Sequence, residues 1–158
     1  MSDLLDEYRE KAKGTNIDQR SLLSNDYFNH FNSIIMLLGL LPDMPDMLEE
    51  IDAWKPMTYV EHFQQSGLDF GPLAVECYEH APPKLREKLE RMAEDLGTLI
   101  DISRLGLRRL LEIGDKARFA EMSRRVARDM QDMVDTGGAI IHGYEESLDQ
   151  SSIDALFP

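Results

Sequence analysis

The apolar pattern that follows Pro82 and Pro83 constrains the fold of this chain more than any other feature. Small or apolar residues recur at alternating intervals of four and three, at Leu85, Leu89, Met92, Leu96, Leu99, Ser103, Gly106, Leu110 and Ile113. After a predicted turn at Gly114 and Asp115, similar spacing returns at Phe119, Met122, Val126, Met130, Met133, Gly137, Ile140 and Tyr144. Such spacing predicts long helices with one apolar face. We therefore expect an antiparallel helical hairpin with arms of about 28 residues, ~42 Å long at ~1.5 Å per residue.

The segments before the hairpin predict shorter helices that pack along its arms. Residues 2–13 predict a helix that ends at Gly14, and residues 14–23 predict a linker. Four further helices are predicted from their start signals. Ser24 or Asn25 caps a helix that runs to about Leu41, and Pro45 begins a helix that runs through Trp54. Thr58 with Glu61 forms a capping box for a helix over 58–66, and Pro72 begins a helix that runs to about His80. No strand pattern competes, so the predicted fold class is all-α, a helical bundle built around the long hairpin.

Length and charge limit the classes of function. A chain of 158 residues suits one core, so we divide it into an N-terminal helix and linker at 1–23, a bundle domain at 24–144 and a docking peptide at 145–158. The formal net charge of -13 disfavours nucleic-acid binding and attachment to an anionic membrane surface. The single cysteine, Cys77, and a start without a basic and long apolar segment predict a cytoplasmic protein.

Residues with catalytic or metal-binding chemistry are few. The four histidines fall in different predicted helices and form no H-x-x-x-H pair: His30, His62, His80 and His142. We therefore expect no metal site and no cofactor. The sequence around His30, NHFNS, lacks the H-x-x-K-G pattern of a phosphotransfer histidine. No glycine-rich phosphate loop and no G-x-S-x-G motif occurs either, so a non-enzyme is the favoured interpretation.

The C-terminal stretch LDQSSIDALFP predicts a short amphipathic helix. Its apolar side comprises Leu148, Ile153, Leu156 and Phe157. A helix this short is marginal alone in water, so we expect it to fold against a larger surface. That surface is either its own bundle, on which it would form a terminal lid, or the groove of a partner protein.

The same stretch resembles the peptide with which the flagellar switch protein FliM binds phosphorylated CheY, the chemotaxis response regulator. The FliM pattern, L-S-Q-(D/E)-E-I-D-A-L-L, has the same residues as this chain at Leu148, Gln150, Ile153, Asp154, Ala155 and Leu156, and leucine in place of Phe157. The resemblance implies that these residues bind a CheY-like receiver. The two acidic positions of the FliM pattern are Ser151 and Ser152 here. A competing resemblance is to sliding-clamp peptides, Q-x-x-(I/L)-x-x-aromatic-aromatic, which agree at Gln150, Ile153 and Phe157 and have an aromatic residue where this chain has Leu156.

The return arm of the hairpin contains the segment ARDMQDM, which is similar to A-Q-D-F-Q-D-L of the chemotaxis phosphatase CheZ. That family also has a long helical hairpin followed by a CheY-binding peptide. The resemblance implies that Asp132 is the carboxylate that enters the receiver, and that Thr136 stands where the family has a water-orienting glutamine. Threonine is shorter and differently shaped. The alternative for this segment is a polar surface on which Asp129 or Asp132 pairs with Arg125 or Arg128.

Two hypotheses of different classes follow. The first is a non-catalytic interaction protein of bacterial chemotaxis or motility, whose C-terminal peptide binds a phosphorylated CheY-like receiver. The second is a CheZ-like phosphatase that hydrolyses the receiver's aspartyl phosphate through Asp132. The length of the arms also favours a homodimer, with Ser103, Gly106 and Gly137 as points where helices of two copies approach closely.

Overall fold

The computed structural model describes residues 2–142, and this part of the chain forms seven α-helices and no strand. The helices are Ser2–Ala12 (α1), Asn29–Leu40 (α2), Leu48–Ala53 (α3), Tyr59–Gln65 (α4), Gly71–Tyr78 (α5), Pro83–Glu112 (α6) and Lys116–His142 (α7). Short 3-10 turns at Asn25–Phe28 and Pro45–Met47 lead into α2 and α3. The all-α class is confirmed, and α6 with α7 forms the predicted hairpin. None of these seven helices has both the length and the apolar content to cross a membrane.

The helix boundaries follow local signals in the sequence. Ser24 caps the turn before α2, where its hydroxyl accepts a hydrogen bond from the backbone N–H of Asp26. Thr58 and Glu61 form both bonds of a capping box at the start of α4, at 3.1 and 2.9 Å. Gly114, with a φ of 74°, makes the turn between α6 and α7 in the left-handed conformation that glycine adopts without strain. Each signal acts over a few residues, and each was predicted.

The core lies where α2 and α6 pack against α7, which contacts both helices. The segment that contains α2 contributes six residues that are each at most 2% exposed: Tyr27, Phe28, Phe31, Ile34, Leu38 and Leu41. The shorter helices α3, α4 and α5 cover the rest of the core with Leu48, Ile51, Tyr59, Phe63, Ala74 and Cys77. Burial of one such apolar side chain stabilises the fold by roughly 1.5–3 kcal/mol, so the short helices and the hairpin depend on each other.

The buried face of the hairpin differs from the predicted heptad seam. The buried residues of α6 are Leu85, Leu89, Leu96, Ile100, Ser103 and Leu107, and those of α7 are Phe119, Ser123, Val126, Met130, Val134, Gly137 and Ile141. Seven predicted seam residues are only half-buried: Met92, Leu99, Gly106, Leu110, Met122, Met133 and Ile140. The prediction was wrong at Ile113, which is 55% exposed. It missed Ile100 and Leu107 on α6, and Ser123, Val134 and Ile141 on α7. Tyr144 lies outside the described residues.

The difference between the predicted seam and the buried face of the hairpin has a geometric cause. A strict seven-residue repeat drifts by ~20° per heptad relative to a straight α-helix, which amounts to about 80° over the four heptads from Leu85 to Ile113. The buried residues of both arms instead follow a period close to the ordinary helical repeat. We infer that α6 and α7 are straight helices in a multi-helix bundle, because α7 packs against α2 as well as α6.

Residues 14–23, which were predicted as a linker, belong to the packed structure. Three of their apolar side chains are almost inaccessible to solvent: Ile17, Leu22 and Leu23. The carboxylate of Asp18 holds this segment in a turn, since it accepts hydrogen bonds from the backbone N–H groups of Arg20 and Ser21, each at 2.9 Å. The N-terminal segment therefore packs on the bundle and contributes to the same core.

The small residues that were expected to meet a second copy are contacted within one chain. A Cβ atom added at Gly106 would lie 2.7 Å from Cε of Met122, and one added at Gly137 would lie 2.9 Å from Cε2 of Phe28. Ser103 is 2% exposed and lies in the core. These small residues therefore allow close packing within one chain. They no longer support the homodimer, which stays a prediction.

Candidate functional site

The residues that were predicted to bind a partner lie outside the described residues. They are Leu148, Gln150, Ile153, Asp154, Ala155, Leu156 and Phe157. The described residues end at His142. The residue before it, Ile141, has a side chain that is 0% exposed and belongs to the hydrophobic core. The core therefore extends along α7 as far as its last turn, close to the start of the predicted docking peptide.

Asp132, the candidate catalytic carboxylate, lies on an exposed face of α7. One turn further along, the hydroxyl of Thr136 donates a hydrogen bond to the backbone carbonyl oxygen of Asp132, at 2.9 Å. This bond holds the hydroxyl hydrogen against the helix, so it is not available to orient a water above Asp132. In the part of the chain that the structure describes, neither Asp132 nor Asp129 forms an ion pair with Arg125 or Arg128.

His30 and His62 come from different helices and lie near each other, with ring centroids 6.4 Å apart. The His30 ring stacks on Trp54 at 4.7 Å, and its Nε2 lies 2.6 Å from the carbonyl oxygen of Lys55. Burial lowers the pKa of both histidines, and the neighbouring His30 lowers the pKa of His62 further. Both rings are therefore mainly neutral at pH 7. Within residues 2–142, no three His, Cys, Asp or Glu side chains are arranged to hold a metal ion.

A cavity of about 480 Å³ opens between the start of α4 and the first half of α6. Its aromatic and aliphatic lining includes Tyr27, Phe31, Tyr59, Tyr78, Leu89 and Ala93. The tyrosine rings pack on one another, with centroids 5.4 Å apart for Tyr27 and Tyr59 and 4.7 Å apart for Tyr59 and Tyr78. A volume in the range of ~300–1,000 Å³ and a mainly apolar lining are typical of small-molecule sites. We therefore treat this aromatic cavity as a candidate binding site.

Hydrogen bonds fix the two buried tyrosines at the base of the aromatic cavity. The Tyr27 hydroxyl donates to the carbonyl oxygen of Met57 at 2.6 Å, and the Tyr59 hydroxyl accepts from the backbone N–H of Ser24 at 2.8 Å. Burial raises the pKa of Tyr27 to about 12, and it also raises the pKa of Tyr59. Both phenols are therefore neutral at physiological pH, and each ring is held in place by a polar partner.

Three exposed carboxylates, Glu61, Glu90 and Glu94, line the aromatic cavity. The Tyr78 hydroxyl donates a hydrogen bond to the carboxylate of Glu90. Glu61 accepts the backbone N–H of Thr58 at 2.9 Å, and this bond lowers the pKa of Glu61. Glu94 also lines the cavity, and it has no hydrogen bond or ion pair within residues 2–142. No lysine, arginine or histidine is among the described residues that line it, so the opening is negatively charged.

Comparison with known proteins found no match. No family model, no curated protein and no solved structure is similar to this chain. The FliM and CheZ resemblances therefore rest on the residues quoted for them, and the function of the chain must be argued from its own side chains.

Sequence reasoning did not predict the aromatic cavity. Its three tyrosines, Tyr27, Tyr59 and Tyr78, are far apart in the sequence and are brought together only by the packing of separate helical segments. A weak signal was present on α6, where the small Ala93 follows the acidic Glu90 at a spacing of three and so shares its helix face. A small residue beside a carboxylate is too common on helix surfaces to identify a cavity by itself.

Proposed function

We propose that this protein is a non-catalytic signalling protein of bacterial chemotaxis or motility that binds a phosphorylated CheY-like receiver through residues 148–157. The observation that carries the proposal is the agreement of Ile153, Asp154, Ala155 and Leu156 with the consecutive I-D-A-L of the FliM pattern. An amphipathic helix that places a few apolar anchors in a groove is a common mode of peptide recognition. Such receivers act in the cytoplasm, so the proposal places this protein there as well.

The extent of the core supports an outward role for the C-terminal peptide. Buried residues continue along α7 to Ile141, and the core that they form also includes α1 through Ala12 and the loop through Leu23. The helices of residues 2–142 thus share one core, although some large apolar side chains, including Met36, Ile102 and Leu105, stay exposed on their surface. Under the proposal, the apolar side of residues 148–157 is then left for a partner.

The surroundings of Asp132 favour a non-catalytic protein over a phosphatase. The Thr136 hydroxyl bonds to the carbonyl oxygen of Asp132, whereas a water-orienting group would have to point away from the helix. The exposure of Asp132 leaves the phosphatase as a second candidate, because a receiver could reach this carboxylate. A kinetic measurement therefore has to accompany the binding measurement.

Calorimetric titration of the chain into a CheY-type receiver tests the proposal, with the receiver either free or carrying beryllofluoride as a phosphate mimic. We expect tighter binding to the mimic. Ile153→Ala and Phe157→Ala should each weaken binding by ~1–3 kcal/mol, because apolar anchors carry most of the energy of a docked helix. Ser152→Ala is the matched control and should change the binding energy by less than ~0.5 kcal/mol. Equal losses in all three variants, or no binding, would contradict the proposal; binding to a sliding clamp instead would support the competing resemblance.

The lifetime of the phosphorylated receiver separates the two candidate functions. A non-catalytic protein leaves this lifetime unchanged at concentrations that saturate binding. A phosphatase shortens it, and Asp132→Asn then abolishes the effect, whereas Asp129→Asn, an equally exposed aspartate on the same helix, does not.

A further inference from the structure

The aromatic cavity has the electrostatics of a site for a cation. Glu61, Glu90 and Glu94 line it, and none of its described lining residues carries a positive charge. Glu90 uses one carboxylate oxygen to accept the Tyr78 hydroxyl, and Glu94 has no partner within residues 2–142. The negative potential of these groups attracts a positively charged ligand and repels an anion.

The walls of the aromatic cavity are formed before any ligand binds. Rotation of Tyr27 would break its hydrogen bond to Met57, and rotation of Tyr59 would leave the buried N–H of Ser24 without an acceptor. Loss of a buried hydrogen bond is costly, so these rings do not collapse into the space. Because the phenols are neutral, the charge at the cavity comes from its three carboxylates and from Arg86, which lies over the Tyr78 ring. A ligand therefore meets a fixed wall in which Tyr78 is the accessible ring, since Tyr27 and Tyr59 behind it are 2% and 4% exposed.

We propose that the aromatic cavity binds a small organic cation of the alkylammonium class, with an apolar body. Aromatic rings attract a cation that lies within ~6 Å of the ring centroid, and Tyr78 is the half-buried ring of this lining. Arg86, whose Cζ lies 5.8 Å from that centroid, is outnumbered by the three carboxylates. The apolar body of the ligand would displace water from the half-buried Met57 and Ala93, and its charge would meet the free carboxylate of Glu94. This activity is independent of the C-terminal peptide and of any receiver.

Titration of the full chain, followed by amide nitrogen–proton NMR, tests the site with three probes of similar size. They are benzyltrimethylammonium, benzyl alcohol and phenylacetate. We expect the cation to bind ~10-fold more tightly than the alcohol and the anion to bind most weakly, because the carboxylates and rings favour positive charge. The shifted amides should belong to the start of α4 and the first half of α6.

A fourth probe, Nα-acetyl-lysine methylamide, distinguishes the source of the ammonium group. Tighter binding than that of benzyltrimethylammonium indicates a lysine side chain as the ligand, and weaker binding indicates a free small molecule.

Two variants assign the binding to this cavity. Glu94→Gln should weaken binding of benzyltrimethylammonium by about 2- to 5-fold and leave benzyl alcohol unaffected, because only the charge changes. Glu121→Gln makes the same change at an exposed side chain of α7 that does not line the cavity, and should leave both affinities unchanged. Ala93→Leu should weaken both probes by at least ~10-fold, because the larger side chain occupies the ligand's space.

Three results would overturn the proposal. The first is equal affinity for benzyltrimethylammonium and benzyl alcohol. The second is an effect of Glu94→Gln no larger than that of Glu121→Gln. The third is a set of shifted amides that lies away from α4 and α6. If Ala93→Leu fails to fold, the comparison of the two glutamine variants decides the question, because Glu94 and Glu121 are both exposed and neither contributes to the core.

Discussion

A methyl group added at Gly137 would collide with the aromatic core of the bundle. An ideal Cβ there would lie 2.7 Å from Sδ of Met92 and 2.9 Å from Cε2 of Phe28, and closer still to Cζ of that ring. Phe28 is 2% exposed, so its ring cannot move aside without disturbing its neighbours. Replacement of glycine by alanine in a helix gains ~0.5–1 kcal/mol, whereas overpacking of a core costs ~1–3 kcal/mol. We therefore expect Gly137→Ala to lower the free energy of unfolding by up to ~2 kcal/mol.

The next residue, Gly138, provides a matched control. A Cβ at Gly138 would have no neighbour within 4 Å, so Gly138→Ala should gain the helix-propensity term alone, ~0.5–1 kcal/mol. The difference between the two variants then isolates the steric cost at ~1–3 kcal/mol. Urea unfolding followed by circular dichroism measures it directly, and each kcal/mol corresponds to ~2–4 °C in melting temperature for a chain of this size. Equal stability of the two variants would refute the packing of α7 against Phe28.

Three other substitutions test separate parts of the structure. Tyr59→Phe should lower the free energy of unfolding in urea by ~1–3 kcal/mol, because the buried N–H of Ser24 loses its acceptor. Arg104→Met should cost a similar ~1–3 kcal/mol, because Arg104 donates to carbonyl oxygens at the end of α3, including that of Ile51 at 2.9 Å. His62→Gln should reduce the loss of stability as the pH falls below 6.5, since burial lowers the pKa of His62 and the unfolded chain is protonated first. Unchanged unfolding curves or pH profiles would contradict these assignments.

The pH prediction depends on a difference between two curves. The formal net charge of -13 means that acid also relieves repulsion among carboxylates, which opposes the histidine effect. The folded state of the parent chain binds fewer protons at His62 than the unfolded state does below pH 6.5, so its free energy of unfolding falls there. Subtraction of the His62→Gln profile removes the carboxylate contribution, which both chains share, and leaves the histidine contribution alone.

Helix boundaries could be predicted because their causes are local. The capping box of Thr58 and Glu61, Pro83 at the first turn of α6, and Gly114 in the turn before α7 all act through atoms a few residues away. A single sequence therefore specifies them without knowledge of the tertiary structure. The same holds for the helical hairpin, whose two long apolar patterns are separated by an evident turn.

The buried face of α6 could not be predicted in full, because this helix has apolar residues on more than one side. Leu107 is 0% exposed, whereas Leu105 is 73% exposed and Ile102 is 62% exposed. Which of them is buried depends on where α3 and α7 pack, and that is tertiary information. The error at Ile113 arose from the assumption of a coiled-coil repeat in a helix that instead belongs to a bundle.

The candidate sites could be predicted from the sequence to different degrees. Helical spacing correctly placed Thr136 one turn from Asp132, but the choice of the Asp132 carbonyl as its hydrogen-bond partner required the structure. The aromatic cavity was not predictable, because Tyr27 and Tyr78 meet Glu90 only after three separate segments pack together. The docking residues 148–157 were chosen from a sequence pattern alone, and their role stays a proposal.

Receiver affinity, measured together with stability for the intact chain and for a chain that ends at Glu146, tests the proposed function most directly. We predict that truncation weakens binding to a beryllofluoride-activated CheY-type receiver by at least ~100-fold, because all the proposed anchors are removed. We also predict a melting temperature within ~2 °C of the intact chain, since residues 2–142 already form an extensive core that reaches Ile141. Retained receiver binding by the truncated chain would show that the C-terminal stretch is irrelevant to the partner. No binding by the intact chain, together with a loss of several kcal/mol of stability on truncation, would show that this stretch is a structural lid.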